Sequence, residues 1–142
     1  TGVAYGVSSS YILKALDENN KGKLISIDSI FRPWQSKEMI GAAIPKNLRN
    51  RWELKIGTSK KLLEKILITL PAIDIFLHDS LHTYNNMYYE FKTSWPSIKK
   101  NGFLLSDDIS SNNAFSDFYK SIKKEPIIML QNSQSYLGIL IK

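Results

Sequence analysis

The sequence predicts an α/β domain in which a doubly wound, mostly parallel sheet carries helices on both faces and closes on a C-terminal antiparallel hairpin. Three observations predict it. Short apolar runs that end in polar residues alternate with stretches of helical periodicity, as successive βαβ units with right-handed crossovers require. The helical stretches stop at Gly, Asn and Pro. The last two apolar runs are joined only by Gln131 to Ser135, too short a link for a parallel crossover, so they should form a hairpin.

Taken in order, Ser8, Ser9 and Ser10 offer N-cap hydroxyls before a helix with apolar positions Tyr11, Ile12, Leu13, Ala15 and Leu16, which ends at Gly22. Lys23 to Asp28 reads as a buried strand closing on an acid. Residues 33 to 51, with Pro33, Gly41 and Pro45, have mixed periodicity and suit a short helix or a lid. Trp52 to Ile56 alternates as a strand, and Gly57-Thr58-Ser59 turns it into a helix through Leu62, Leu63, Ile66, Leu67 and Leu70 that Pro71 stops. Ile73 to His78 is the next strand. Met87, Phe91, Trp95 and Ile98 then recur at helical spacing up to Gly102. Phe103 to Ser106 forms a strand ending at Asp107-Asp108, Phe115, Phe118, Tyr119 and Ile122 mark another helix, and Ile127 to Leu130 and Tyr136 to Ile141 are the closing strands.

With 142 residues, one domain is expected, large enough to bury a core. A composition of 43% hydrophobic and 23% charged residues argues against disorder. No apolar run approaches the roughly 20 residues a membrane helix needs, and no signal peptide is evident, so a cytoplasmic protein with no membrane partner is expected. The absence of cysteine excludes disulfides, thiolate catalysis and cysteine-bound metal. The net charge of +6 is spread over pairs such as Lys60-Lys61, Lys99-Lys100 and Lys123-Lys124, which favours a solvated surface over a nucleic-acid face. Thr1 enters without a strand before the glycines, so the domain is expected to lack its first strand within this chain.

Ligands of open parallel sheets bind beyond the carboxyl ends of the strands. The groups expected at that edge are the Thr1 to Ser10 loop, Asp28-Ser29, Gly57-Thr58-Ser59, His78 to Tyr84, and Asp107-Asp108. Gly2 and Gly6 let backbone approach a ligand before a helix whose free N–H groups attract an anion. Asp28, 22 positions beyond Gly6, can accept hydrogen bonds from ribose hydroxyls or can serve only as a turn residue. Asp79 and Asp107-Asp108 end neighbouring strands about 4.8 Å apart, so their carboxylates could converge; like charges that close raise a pKa or require a hard cation such as Mg²⁺. The alternative is that they cap loops. His82 stands beside these acids and suits a general base. His78, at the end of an apolar strand, suits a buried, hydrogen-bonded role instead. Trp95 reads as core, and Trp34 as a residue that could shape a pocket.

Together, Gly2-x-x-x-Gly6-x-Ser8, Ser-Ile-Asp28, Gly57-Thr-Ser59, Phe-Leu-His-Asp79-Ser-Leu-His82-Thr-Tyr84 and Asn-Gly102-Phe-Leu-Leu-Ser-Asp107-Asp108 resemble, in content and order, the class I S-adenosylmethionine-dependent methyltransferases. The likeness covers nearly the whole chain and is greatest to the small metal-assisted O-methyltransferases of the catechol and macrolide-sugar type. It implies a Rossmann-like sheet of seven strands with the last antiparallel, the first lying upstream of Thr1, and a single S-adenosylmethionine-binding domain over residues 1–142. By the family's pattern Gly2, Gly6 and Ser8 approach the methionine part of the cofactor, Asp28 with Ser29 holds the ribose, and Thr58 and Ser59 border the adenine. Asp79, Asp107 and Asp108 match the positions that bind a divalent ion, and His82 matches the base. Two departures bear on the ligand set: relatives carry Ile-Asp-Gly-Asp-His where this chain has His78-Asp-Ser-Leu-His82, and asparagine can stand at the position of Asp108.

The function so implied is methyl transfer to a hydroxyl of a small-molecule acceptor, a sugar or a phenol, assisted by Mg²⁺ or another divalent cation. The competing readings are an RNA or protein methyltransferase, suggested by the positive charge, and a non-catalytic cofactor-binding or interaction domain. Assembly as a homo-oligomer stays open.

Overall fold

The computed structural model describes residues 1–30, 34–131 and 134–142; Pro33 and two residues of the hairpin link lie outside them. The chain resolves into two compact units, Thr1–Ser59 and Lys60–Lys142, each with its own hydrogen-bonded sheet.

The first unit begins with a loop that leads into α1 (Val7–Glu18), followed by β1 (Leu24–Asp28) and β2 (Trp52–Ile56). The strands pair in parallel, Leu24 opposite Trp52 and Asp28 opposite Ile56. Between them, the segment of mixed periodicity forms two 3-10 turns, Lys37–Met39 and Lys46–Arg51, rather than an α-helix. The core joins Leu13 of α1 to Ile44 and Leu48, with Leu16, Leu24 and Trp52 packed around them. Arg49 ties the turn down by donating from Nε to the Ile44 carbonyl at 3.1 Å and from Nη2 to the Gly41 carbonyl at 3.0 Å.

One expectation here is corrected. The serines do not cap α1: the cap position is Gly6, in the left-handed region at φ 89°, with no side-chain capping bond. Ser8, Ser9 and Ser10 are the second to fourth helical residues, and the Ser10 hydroxyl bonds back to the Gly6 carbonyl at 2.7 Å. Glycine fits because the position needs both a positive φ and a missing side chain. A Cβ there would meet Gly41 Cα and Ile44 Cγ1, each at 2.8 Å.

The second unit contains α2 (Ser59–Leu67, its first residue closing the first unit), β3 (Ile73–His78), α3 (Tyr84–Ser94), β4 (Ile98–Ser106), α4 (Ala114–Ser121), β5 (Ile127–Leu130) and β6 (Tyr136–Ile141). Strand order is β3-β4-β6-β5. β3 and β4 run parallel; β6 is antiparallel to both β4 and β5, so the closing hairpin is present as expected. The α/β class with parallel pairs and an antiparallel end therefore holds.

Strand alternation divides this sheet's faces. Phe76, His78, Leu104, Ser106 and Leu140 are buried, together with Met87 and Phe91 of α3 and Phe115 and Phe118 of α4. The aromatic rings meet edge-on, Phe91 against Phe115 at 6.0 Å between centroids. Gly138 of β6 makes room for them, since a Cβ there would lie 2.5 Å from the Phe115 ring. Trp95 is half-buried against Phe118, and Trp34 is exposed.

The helix expected to continue to Gly102 stops sooner. After Ser94 a single 3-10 turn, Trp95–Ser97, leads directly into β4, and Ile98 is a buried strand residue. The reason is Pro96, which supplies no N–H and crowds the preceding turn of a helix. β4 then takes an irregular course: Ile73 pairs with Ile98 but Ile75 pairs with Phe103, with Asn101 left-handed at φ 63° between them.

Candidate functional site

All the residues expected to bind a cofactor belong to the first unit, and those expected to bind a metal or a proton belong to the second.

In the first unit the loop from Gly2 to Gly6 alternates left-handed residues, Gly2 at φ 80°, Ala4 at 49° and Gly6 at 89°. Such alternation turns successive N–H groups toward one point and makes an anion-binding concavity. The point is taken by Asp28: its Oδ2 accepts from Val3 N and Ala4 N, both at 2.8 Å, and its Oδ1 accepts from Ser29 N at 2.6 Å. Gly2 N donates to the Ile27 carbonyl at 2.9 Å, and Gly57 N to the Asp28 carbonyl at 2.7 Å, so the loop and both strand tips are tied together. Of roughly four acceptor positions on a carboxylate, three are used, leaving one on Oδ1 for a ligand hydroxyl. The aspartate is thus a clamp for the glycine loop, a role that the spacing alone did not reveal. Ser8 and Thr58 are exposed, whereas Ser59 is buried at the start of α2.

In the second unit β3 and β4 end side by side, His78 opposite Ser106, and each delivers its acid just past that pair. Asp107 N donates to the His78 carbonyl at 2.9 Å, which extends the ladder by one bond and holds the two tips together. Asp79, His82 and Asp107 each bring a ligand-type atom within 4.8 Å of the others. Asp108 does not belong to that triad. Its backbone is left-handed at φ 47°, its Oδ2 lies 3.6 Å from His82 Nδ1, and its Oδ1 accepts from Ser135 Oγ at 2.7 Å. The His82 ring therefore stands between two acids, with Nε2 3.8 Å from Asp79 Oδ1. That Nε2 is buried and has no hydrogen-bond partner.

Burial pushes the Asp79 carboxyl up to about 6, aided by the negative charge of Asp107 and a hydrogen bond with it, and opposed by His82. The direction is that of a carboxyl taken out of water, with a second carboxylate crowded beside it. It also carries a sign for stability. The folded protein holds this proton more tightly than the unfolded chain, where an aspartyl group titrates near 3.9. In the presence of a chelator, stability should therefore fall as the pH rises from about 4 to about 6, and above that this group should cause no further change with pH. Thermal midpoints across that range should show a falling limb in the wild type that is flattened in Asp79→Asn.

Beneath this site lies a group that the sequence pattern did not single out. Glu90 of α3 is fully buried and bonds to His78 Nδ1 at 2.7 Å, which gives His78 the buried, hydrogen-bonded position expected of it. The signal was an acid amid Met87, Phe91 and Ser94 on the buried face of a helix, where a charge needs partners.

With this geometry in view, comparison with known proteins settles the family. A family model described as methyltransferase domain matches residues 1–109. The chain belongs to the methyltransferase-domain family. The resemblance read from its motifs to class I S-adenosylmethionine-dependent methyltransferases is thereby borne out. No curated protein matches the sequence significantly. Among solved structures, an O-methyltransferase from Bacillus cereus in complex with SAH is similar with TM-score 0.73 at 14% identity, covering 99% of this chain and 71% of that one. The apo structure of CalS11, a TDP-rhamnose 3'-O-methyltransferase of calicheamicin biosynthesis, gives 0.71 at 13%, covering 96% and 68%. MycE, from the mycinamycin pathway and in complex with Mg, SAH and mycinamycin VI, gives 0.58 at 12%, covering 86% of this chain and 36% of its own. At these identities the likeness establishes the fold, which is Rossmann-like. Among the described residues no helix is long and apolar enough to cross a membrane.

Proposed function

We propose that this methyltransferase domain transfers the methyl group of S-adenosylmethionine to a hydroxyl of a small-molecule acceptor, a sugar or a phenol, with a divalent cation at Asp79 and Asp107. The observation that carries the reading is the convergence of Asp79, His82 and Asp107 at the carboxyl ends of two adjacent parallel strands. The two carboxylates fit a hard cation, and burial together with the charge of Asp107 pushes the Asp79 carboxyl up to about 6. That MycE is solved in complex with Mg, SAH and mycinamycin VI supports the same chemistry by analogy.

The roles of this chain's own residues follow from their surroundings. The glycine loop, Gly2 to Gly6, held in shape by its bonds to Ile27 and Asp28, borders the methionine moiety, and Asp28 takes a ribose hydroxyl on its remaining acceptor position, with Ser8, Ser29, Thr58 and Ser59 bordering the nucleoside. When bound, the cofactor supplies an electrophilic methyl on sulfur and the cation polarises the acceptor hydroxyl. His82, whose part-exposed ring stands between Asp79 and Asp108, takes the hydroxyl proton. Asp108 lies beside that base, its Oδ2 3.6 Å from Nδ1. This gives Asp108 a task beside the base rather than in the ligand set.

Thermal shift on the full chain tests the reading. S-adenosylhomocysteine at a hundred times its Kd should stabilise the fold by about 2.7 kcal/mol, and Mg²⁺ should add a further rise that Asp79→Asn removes. Stabilisation by the nucleoside with none from any divalent ion would reduce the proposal to a metal-free methyltransferase; no response to either would remove it.

A further inference from the structure

The residues on both sides of Asp79, and through Asn86 the one before His82, are tied to one buried carboxylate. Ser80 Oγ donates to Glu90 Oε1 at 2.7 Å, Asn86 Nδ2 donates to the same oxygen at 3.1 Å, and His78 Nδ1 meets Oε2 at 2.7 Å. Asn86 Nδ2 also reaches the Leu81 carbonyl at 3.1 Å and Ser80 Oγ at 3.2 Å. Glu90 thus gathers Ser80 and Asn86 on one carboxyl oxygen and His78 on the other. The ties bracket the site. His78 and Ser80 stand on either side of Asp79, and Leu81 precedes His82.

A second route runs through the rings. Held at Nδ1, the His78 imidazole meets the His82 ring edge-on, 74° between planes and 5.3 Å between centroids. Its other nitrogen, Nε2, is buried without a hydrogen-bond partner. A strand end that needed only packing would be served by an aliphatic side chain, with no buried carboxylate to desolvate. An imidazole fixed by a hydrogen bond to Glu90 instead dictates the direction of the ring that rests on it.

We infer that Glu90 is a positioning residue for the candidate site: from within α3 it fixes the loop, through Ser80 and Asn86, and the ring of His82, through His78, so that Asp79 and His82 keep the placement the chemistry needs. The inference rests on the reading of that site as a cation and base centre. Outer partners of this kind commonly govern metal affinity by 10- to 100-fold.

The test uses the full chain and Glu90→Gln, which keeps the size of the side chain and removes its charge. Two quantities are read at a temperature where circular dichroism shows the variant folded: the Kd for Mn²⁺, and the rate of carbethoxylation of His82 followed by mass spectrometry. The expected result is a Kd raised about tenfold and His82 modified several times faster, because a loosened loop uncovers its buried Nε2. A role confined to stability would lower the melting temperature and leave both unchanged, which would overturn the inference. So would an unchanged Kd alone. If the wild type takes up no Mn²⁺, the cation reading fails separately and the His82 rate alone decides whether Glu90 positions the loop. Should Glu90→Gln not fold, Ser80→Ala and Asn86→Ala each remove one tie and should move both quantities in the same direction by about threefold; no movement in either would overturn it.

Discussion

Asp107→Ala should lower methyl transfer by at least about 10³-fold while leaving S-adenosylhomocysteine affinity within about twofold of wild type. Asp107 is the first residue past β4, and its amide is fixed to the His78 carbonyl, so its carboxylate is held beside that of Asp79 by the sheet itself. Removing it takes away one of the two acids that would hold the cation. It also relieves Asp79, whose raised carboxyl owes part of its shift to Asp107, so the Asp79 carboxyl should titrate closer to its ordinary value. The affinity for the nucleoside should survive because the glycine loop and Asp28 lie in the other compact unit, closed by their own hydrogen bonds. Kinetic assay beside calorimetry separates the two effects; a parallel loss of nucleoside affinity would show the roles of the two groups to be misassigned.

His82→Ala should cost about 10² to 10⁴-fold in kcat, the usual contribution of a general base, with Mn²⁺ affinity nearly unchanged. The argument is the ring's position between Asp79 at 3.8 Å and Asp108 at 3.6 Å, with Nε2 unbonded. If Mn²⁺ affinity fell in step with kcat, His82 would be a ligand instead.

Much of the fold is legible in the sequence because strand cores and breakers act locally. Ile73–His78, Ile127–Leu130 and Tyr136–Ile141 are apolar runs bounded by turn residues, and their limits in the structure are those their composition suggests. Pro96 illustrates a conflict between two signals. Trp95 and Ile98 continue the spacing of Met87 and Phe91, yet the proline breaks the helix and Ile98 satisfies its hydrophobicity in β4. Cap choice was less legible: three serines advertise a helix start, but the close approach of Gly41 and Ile44 decides for Gly6, and nothing in the local sequence records that approach.

The candidate site divides in the same way. Asp79, His82 and Asp107 could be placed together because strand ends of a parallel pair fall side by side, a matter of topology. Asp28 and Asp108 depend on where their side chains turn. Asp28 bends back on the Val3 and Ala4 amides, and the left-handed backbone of Asp108 carries its carboxylate to His82 and Ser135. Glu90 escaped notice because a helix pattern shows that a position is buried without showing what lies beneath it.

The most direct measurement is an anomalous difference map from crystals of the full chain soaked in Mn²⁺. A peak roughly 2.0–2.6 Å from carboxylate oxygens of both Asp79 and Asp107 is predicted, in the distance range of hard cations bound by oxygen. A clean map at that position, from crystals in which both side chains are ordered and metal is in excess, would contradict the account.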